Sequence, residues 1–552
     1  MLQPSTSRGR AVLLGSLLLL FAFAAWARLS TLAAGLPHAP ANDEHVYIWQ
    51  MDLFGKPEDP RANPAYGFYP QLVSRLATLV PSPAPDAPAT LDEHLAAAGA
   101  DFVRARLVVA LLSLLALPAT WFLARGLGAA GAWLATSFVA TSVLSTWYAG
   151  EARPHAAFAA LAVCSVACAV ELQRRGGAWL YLATGALAGL ALATLQSGLA
   201  CLLPLCAAHL LRPRELRARE RVWLVLATLL ALLVAWPFYP FLGADVRPVG
   251  EGPPEGATVF FGHDLWLGSF DGLGFVRFAR AFWHYETLPT LLALAGLVLW
   301  LRKRTRLSPA MLVAGAFVLP YVLVFGLYHH TFDRFALPLV PFVALAAAAT
   351  VVHLSGARAR PLVCSAVCLL AALPCVALVR VRGAPDTTQL AARWIESHVP
   401  CGEEVRVMRS LELPLARDPQ TLEPAAARVG VRISAWRQYV RTHREAIARL
   451  PTERIVDLLL PVGNDKHIPD PTGFVRDLGA HWLVLEVWQK PFLEQMVQSA
   501  RLAALEHVRF TPGTDDLDFV LRDDARERSF CWTWRLLHEE RLGAPIEIYH
   551  LP

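Results

Sequence analysis

Three short polar stretches carry the residues best suited to chemistry: Asn42-Asp43-Glu44-His45, Glu151-Ala152-Arg153-Pro154-His155 and His329-His330-Thr331-Phe332-Asp333-Arg334. Adjacent carboxylates such as Asp43 and Glu44 suit a general base or a ligand for a divalent metal. Asp43 equally suits the N-cap of a short helix. In the second stretch Arg153 precedes a proline and should be extended, and Pro154 suits the first position of a helix. That places unpaired N–H groups and a positive dipole end beside Arg153 and His155, a setting that favours phosphate. A plain Arg153–Glu151 ion pair is the bland alternative. In the third stretch His329, His330 and Arg334 offer a metal ligand, a proton donor or a second phosphate clamp. A polar turn with Arg334 anchoring a helix is the alternative. Gln196 and Ser197 occupy a further turn, where Gln196 can either hydrogen-bond a ligand or cap a helix.

These stretches fall at the ends of long apolar segments. The chain has 552 residues, of which 55% are hydrophobic and 17% charged, a balance foreign to an ordinary soluble enzyme. Runs of Leu, Ala and Val approach the ~20 residues a spanning helix needs. Threading them predicts a polytopic α-helical membrane protein with about 11 transmembrane helices over residues 1–379. The first, Ala11 to Ala27, reads as a retained anchor or as a signal peptide. Residues 33–102 form an outer loop that carries the acidic stretch, with room for short helices at 44–54 and 71–80. Pro338 and Pro341 should bend the late helix that follows Arg334.

The net charge of +5 does not point to nucleic acid, because the basic residues gather in short loops between apolar runs. Arg212, Arg214, Arg217, Arg219 and Arg221 make the strongest such loop. Placing the basic loops inside sends all three polar stretches to the outer face. It makes the chain a multi-pass protein of the plasma membrane with its C-terminal domain extracytoplasmic. Hydropathy drops after Arg380, and residues 380–552 read as a small α/β domain. Helices are expected at 387–399 and 434–450, and strands at 404–408, 482–487 and 546–551. Seven of the nine cysteines lie in apolar runs; Cys401 and Cys531 have the option of pairing in an oxidising compartment.

Several of these stretches resemble motifs of the polyprenyl-phosphate-sugar-dependent membrane glycosyltransferases of the GT-C fold. Asn42-Asp43-Glu44 is similar to their acidic first-loop motif. Tyr66-Gly-Phe-Tyr-Pro-Gln-Leu resembles their aromatic, proline-rich loop. Trp147 to Phe158 resembles the arginine-proline turn opening their fourth helix, and Arg334-Phe-Ala-Leu-Pro resembles a late arginine motif. The set is similar to the protein mannosyltransferase, aminoarabinose transferase and Rgt-like groups. Three positions depart: His155 stands where tyrosine is usual, Gln71 replaces a proline, and Gln196 stands where lysine is common.

The resemblance implies sugar transfer from a lipid-phosphate carrier to a lipid, glycan or protein acceptor at the outer face. It implies Asp43, with Glu44, as the catalytic carboxylate, and Glu151, Arg153, His155, Gln196, His329, His330 and Arg334 around the substrate phosphate. A divalent metal held by Glu44 or Glu151 with His330 is a further option it leaves open. Two other classes compete. A transporter or flippase of lipid-linked intermediates needs ionisable groups at mid-membrane, whereas here charges crowd the segment ends. A non-catalytic envelope scaffold would leave the polar stretches apart in space.

Overall fold

In the computed structural model, residues 7–40, 43–52, 69–239, 257–260, 263–303, 307–408, 411–422, 434–458, 468–479, 482–487, 491–513 and 532–552 are described. Asn42, the 66–68 part of the aromatic loop motif and Cys531 lie outside them, so the Cys401–Cys531 pairing lies outside the described residues too.

The described chain is polytopic and helical, with a small sheet domain. Helices α1 (Ser7–Leu29), α2 (Glu44–Asp52), α3 (Leu72–Thr78), α4 (Leu91–Ser113), α5 (Ala116–Ala124), α6 (Gly128–Ala140), α7 (Val143–Ala149), α8 (His155–Arg175) and α9 (Ala178–Thr194) form the first half. Helices α10 (Leu202–Leu210), α11 (Arg214–Ala235), α12 (Leu273–Tyr285), α13 (Thr287–Lys303), α14 (Pro309–Leu327), α15 (Val340–Leu354) and α16 (Arg360–Gly383) follow, with a hairpin of β1 (Ala257–Phe260) and β2 (His263–Trp266) ahead of α12.

Among the described residues seven helical stretches are long and apolar enough to cross a membrane, or eight if the bent α12–α13 pair is one span. The threading into about 11 counted apolar content, whereas crossing also needs length. The count of about 11 is not confirmed: α9 has 17 residues, the Gln196–Leu210 helix opens with a 3-10 turn, and α4 to α6 count as one 50-residue stretch, long enough for more than one crossing. As the prolines imply, the helix after Arg334 is broken, into a 3-10 turn at Asp333–Leu339 and then α15.

Two compact units divide the chain. The first comprises Met1–Leu32, Val46–Val80 and Arg104–Val376; the second comprises Ala33–His45, Pro81–Val103 and Ala377–Pro552. In the first, α8 is the buried centre, packed against α5, α9, α10 and α14. Its alanine-rich faces let neighbouring backbones approach, which is how helices associate without a hydrophobic driving force. The same device joins α9 to α11. Gly185 and Gly189 lie one turn apart and face Ala227 and Ala231, and a Cβ at either glycine would fall 2.3 Å and 2.6 Å from their carbonyl oxygens. Arg28, buried near the end of α1, donates to the carbonyls of Val139 (3.0 Å) and Ala140 (3.3 Å). A cation there satisfies the unpaired carbonyls at the C-terminus of α6.

The second unit is built on a five-stranded sheet of β3 (Glu404–Met408), β4 (Arg454–Leu458), β5 (Trp482–Glu486), β6 (Glu506–Phe510) and β7 (Ile546–His550), in the order β4-β3-β5-β7-β6. β3 runs parallel to β4 and β5, and β7 antiparallel to β5 and β6. Trp482 and Val484 of β5 face a core with Ile395 and Ile548, while Leu483 and Leu485 face another with Met496 and Tyr549. This alternation, with β5 buried on both faces, marks a central strand covered by helices. Helix α17 (Thr387–His398) covers the first face and is held by a capping box at Asp386. The unit recruits earlier chain as well. His38 Nε2 lies 2.8 Å from Asp386 Oδ2 with both side chains buried, and Leu91, Leu95 and Ala98 of α4 pack around Trp436.

Candidate functional site

Each part of the site is placed by a local feature of sequence. Helix α7 starts at Ser142, an N-cap whose hydroxyl accepts from Ser145 N–H at 3.0 Å, and ends at Gly150. The chain then turns through Glu151, Ala152 and Arg153 before Pro154 caps α8 at His155. Opposite stands the 3-10 turn from Asp333, which packs on α8. Tyr321 O–H donates to the Phe335 carbonyl at 3.1 Å, and the Phe325 and Phe335 rings stack at 4.8 Å, so α14 fixes that turn.

Four charged or titratable side chains converge here: Glu151, Arg153, His155 and Arg334 are all at least nine-tenths buried. Arg153 Nη1 lies 3.5 Å from Glu151 Oε2. The His155 ring meets Phe335 edge-on at 5.4 Å and lies within the electrostatic field of both Arg153 and Arg334. Its Nδ1 has no hydrogen-bond partner among the described residues. Arg334 lays its guanidinium over Phe332, with Cζ 4.2 Å from the ring centre. The result is two arginines, a histidine and one carboxylate beside the N-terminus of a 21-residue helix. Buried guanidinium groups beside a helix N-terminus suit an anion, and a phosphate above all.

The other residues singled out from sequence are placed differently. His329 is half-exposed, with Nδ1 2.5 Å from Asp271 Oδ2 and its N–H donating to the Ser269 carbonyl. His330 is exposed and stacks edge-on against Tyr328 and His329. Gln196 opens the 3-10 turn that follows α9, half-buried. Asp43 precedes α2 with φ +69°, the one non-glycine with positive φ among the described residues, and Glu44 is buried as the first residue of α2. An ordinary N-cap has β-region backbone. Asp43 therefore does not have the conformation of a simple cap, and an aspartate held in the left-handed region stores strain of a kind found at functional positions. Among the described residues no three His, Cys, Asp or Glu side chains gather to hold a metal ion, so Glu44, Glu151 and His330 do not form a shared ligand set.

No family model matches the sequence, and no curated protein matches it. The chain is similar in structure to ArnT from Cupriavidus metallidurans bound to undecaprenyl phosphate, at 16% identity and TM-score 0.44, covering 87% of this chain and 94% of that one. It is also similar to the Archaeoglobus fulgidus oligosaccharyltransferase in the apo form, at 12% identity and TM-score 0.46, covering 91% and 73%. A third likeness is to AglB of the same organism, in complex with an inhibitory peptide and a dolichol-phosphate, at 12% identity and TM-score 0.43, covering 92% and 74%.

The structure brings Glu151, Arg153, His155 and Arg334 together, and two further residues that the sequence did not single out bond to the segments that carry them. Glu286, buried between α12 and α13, accepts from Ser142 Oγ at 2.5 Å and from Leu144 N–H at 3.1 Å. Arg277 Nη1 donates to the Thr331 carbonyl at 3.0 Å. The available signal was the charge of each amid an apolar, aromatic helix.

Proposed function

We propose that the chain is a membrane glycosyltransferase that moves a sugar from a polyprenyl-phosphate-linked donor to an acceptor at the outer face of the membrane. The observation that carries this reading is the buried grouping of Arg153, His155 and Arg334 at the start of α8. Buried guanidinium groups at a helix N-terminus suit an anionic ligand such as a phosphate. The apolar helices around it suit a carrier whose phosphate is joined to a long hydrocarbon, and the motif resemblances of the acidic loop and the arginine-proline turn point to the same class.

In the proposed step the acceptor hydroxyl attacks the anomeric carbon. A new carbon–oxygen bond forms, the bond from that carbon to the phosphate oxygen breaks, and its electron pair leaves with the lipid phosphate. Asp43, supported by Glu44, takes the acceptor proton. Arg153 and Arg334, with His155, stabilise the charge that collects on the departing phosphate, a role that gains strength in a water-poor site. Glu151 holds Arg153 in place. No metal is assigned a step.

Purified protein supplied with a panel of polyprenyl-phosphate sugars and candidate acceptors should give a glycosylated product with release of the free lipid phosphate, both read by mass spectrometry. Failure of every donor, together with no saturable binding of undecaprenyl phosphate, would remove the reading.

A further inference from the structure

The two halves of the phosphate site come from distant chain, yet one helix grips both. At its C-terminal end α12 hands over to Glu286, whose Oε1 accepts from Ser142 Oγ and Leu144 N–H. Those two donors form the first turn of α7, a rod of seven residues and so about 10 Å long. The far end of α7 delivers Glu151, Arg153 and His155. In the middle of α12, Arg277 donates to the Thr331 carbonyl, three residues before Arg334. Around this contact α12 is locked to the end of α14. Gly272 N–H donates to the Leu327 carbonyl at 2.9 Å, and Asp271 accepts from His329. A Cβ on Gly274 would fall 2.0 Å from the Phe325 carbonyl oxygen, so only glycine allows so close an approach.

We propose that α12 is a strut that sets the spacing between the Arg153 and Arg334 halves of the site, with Glu286 and Arg277 as positioning residues. Each side chain bonds to backbone or to a capping hydroxyl in the segment that leads into a charged residue of the site. Oε1 of Glu286 is an acceptor of two hydrogen bonds at once, a task that the amide oxygen of glutamine also performs. Arg277 bonds to a carbonyl, a task for any donor of similar reach. Phe275 and Val276 are exposed apolar residues on α12, and Trp266, Leu267 and Phe270 are exposed just before it. A helix with such an exposed apolar face suits the headgroup zone.

The inference rests on the phosphate reading only for its binding arm, and the test separates the two. Hydrogen exchange is followed on the full-length protein in lipid nanodiscs, with undecaprenyl phosphate as the binding probe. Glu286→Ala should raise exchange across residues 142–153 by about tenfold, leaving 328–335 near the wild-type rate. Arg277→Met should do the reverse. Glu286→Gln should restore the wild-type pattern, which a role for the negative charge itself would not allow. Both Glu286→Ala and Arg277→Met should weaken undecaprenyl phosphate binding by about tenfold or more, because the charge pair is held out of register. Unchanged exchange in both segments, uniform loosening of every helix, or failure of Glu286→Gln to rescue would overturn the strut. If the wild-type protein does not bind undecaprenyl phosphate, the phosphate reading falls while the exchange patterns still decide the strut.

Discussion

Arg153 Nη1 lies 3.5 Å from Glu151 Oε2, with both side chains buried at the turn that opens α8. A buried pair of this kind is not a source of net stability, since desolvation consumes most of the attraction. Its consequence appears when one partner is removed. Arg153→Ala removes one partner of a buried pair and should destabilise the helical unit by about 3–5 kcal/mol. The double variant Glu151→Gln with Arg153→Met should recover most of that loss. Thermal unfolding in detergent measures both, and equal destabilisation by the single and double variants would contradict the pairing.

The Arg334 guanidinium lies over Phe332, with Cζ 4.2 Å from the ring centre. Charge-assisted hydrogen bonds contribute about 1.5–3 kcal/mol each, so Arg334→Ala should weaken undecaprenyl phosphate binding by roughly 10–150-fold. Arg334→Lys keeps the charge but neither the plane nor the fork, and should recover only part of the affinity. A titration in nanodiscs reads both; full recovery by lysine would show that the stack has no part in binding.

How far the sequence reveals this site depends on the range of the forces involved. The turn at Glu151–His155 was legible because Pro154 and the apolar run behind it are local signals, and α8 begins where they place it. The strands at Glu404–Met408, Trp482–Glu486 and Ile546–His550 announce themselves by pattern. β4 and β6 do not, because Arg454 and Asp457, or Glu506 and Arg509, break the apolar pattern on strands that flank the sheet. His329 reads as a ligand residue until Asp271, 58 residues earlier, is seen beside it. Glu286 is 144 residues from Ser142, and no periodicity joins them. Helix length is less visible than apolar content, because a break such as the one at Gly128 depends on its φ of +77°.

The backbone at Asp43 gives a prediction that separates chemistry from fold. At φ +69° asparagine is among the residues best tolerated, and glycine is unstrained. Asp43→Asn should therefore fold as the wild type does and lose sugar transfer, because an amide cannot take the acceptor proton. Asp43→Gly should be at least as stable, by up to about 1 kcal/mol, and equally inactive. Thermal melts alongside product detection by mass spectrometry test the pair. An active Asp43→Asn enzyme would end the assignment of Asp43 as base.

The last prediction concerns acid. Glu547 of β7 is fully buried and is met by Arg501 through Nε at 2.9 Å and through Nη2, by His507 Nε2 at 3.0 Å and by the Tyr549 hydroxyl. Burial pushes its carboxyl up, but the bonds from Arg501 and Tyr549 and the charges of Arg501 and His507 outweigh it, leaving the group below its ordinary value of 4.5. A carboxylate with a depressed folded pKa contributes stability that is fully present above the unfolded value and disappears as pH falls through the folded one. The sheet domain should thus hold constant stability from this group down to about pH 4.5 and loosen below it. Hydrogen exchange of residues 546–550 in the full-length protein, measured from pH 3 to 7 and corrected for intrinsic rates, follows the effect. Glu547→Gln should be less stable at neutral pH, since it leaves the Arg501 charge unmatched, and should flatten the acid limb. An acid limb of unchanged steepness in that variant would assign the loss to other carboxylates.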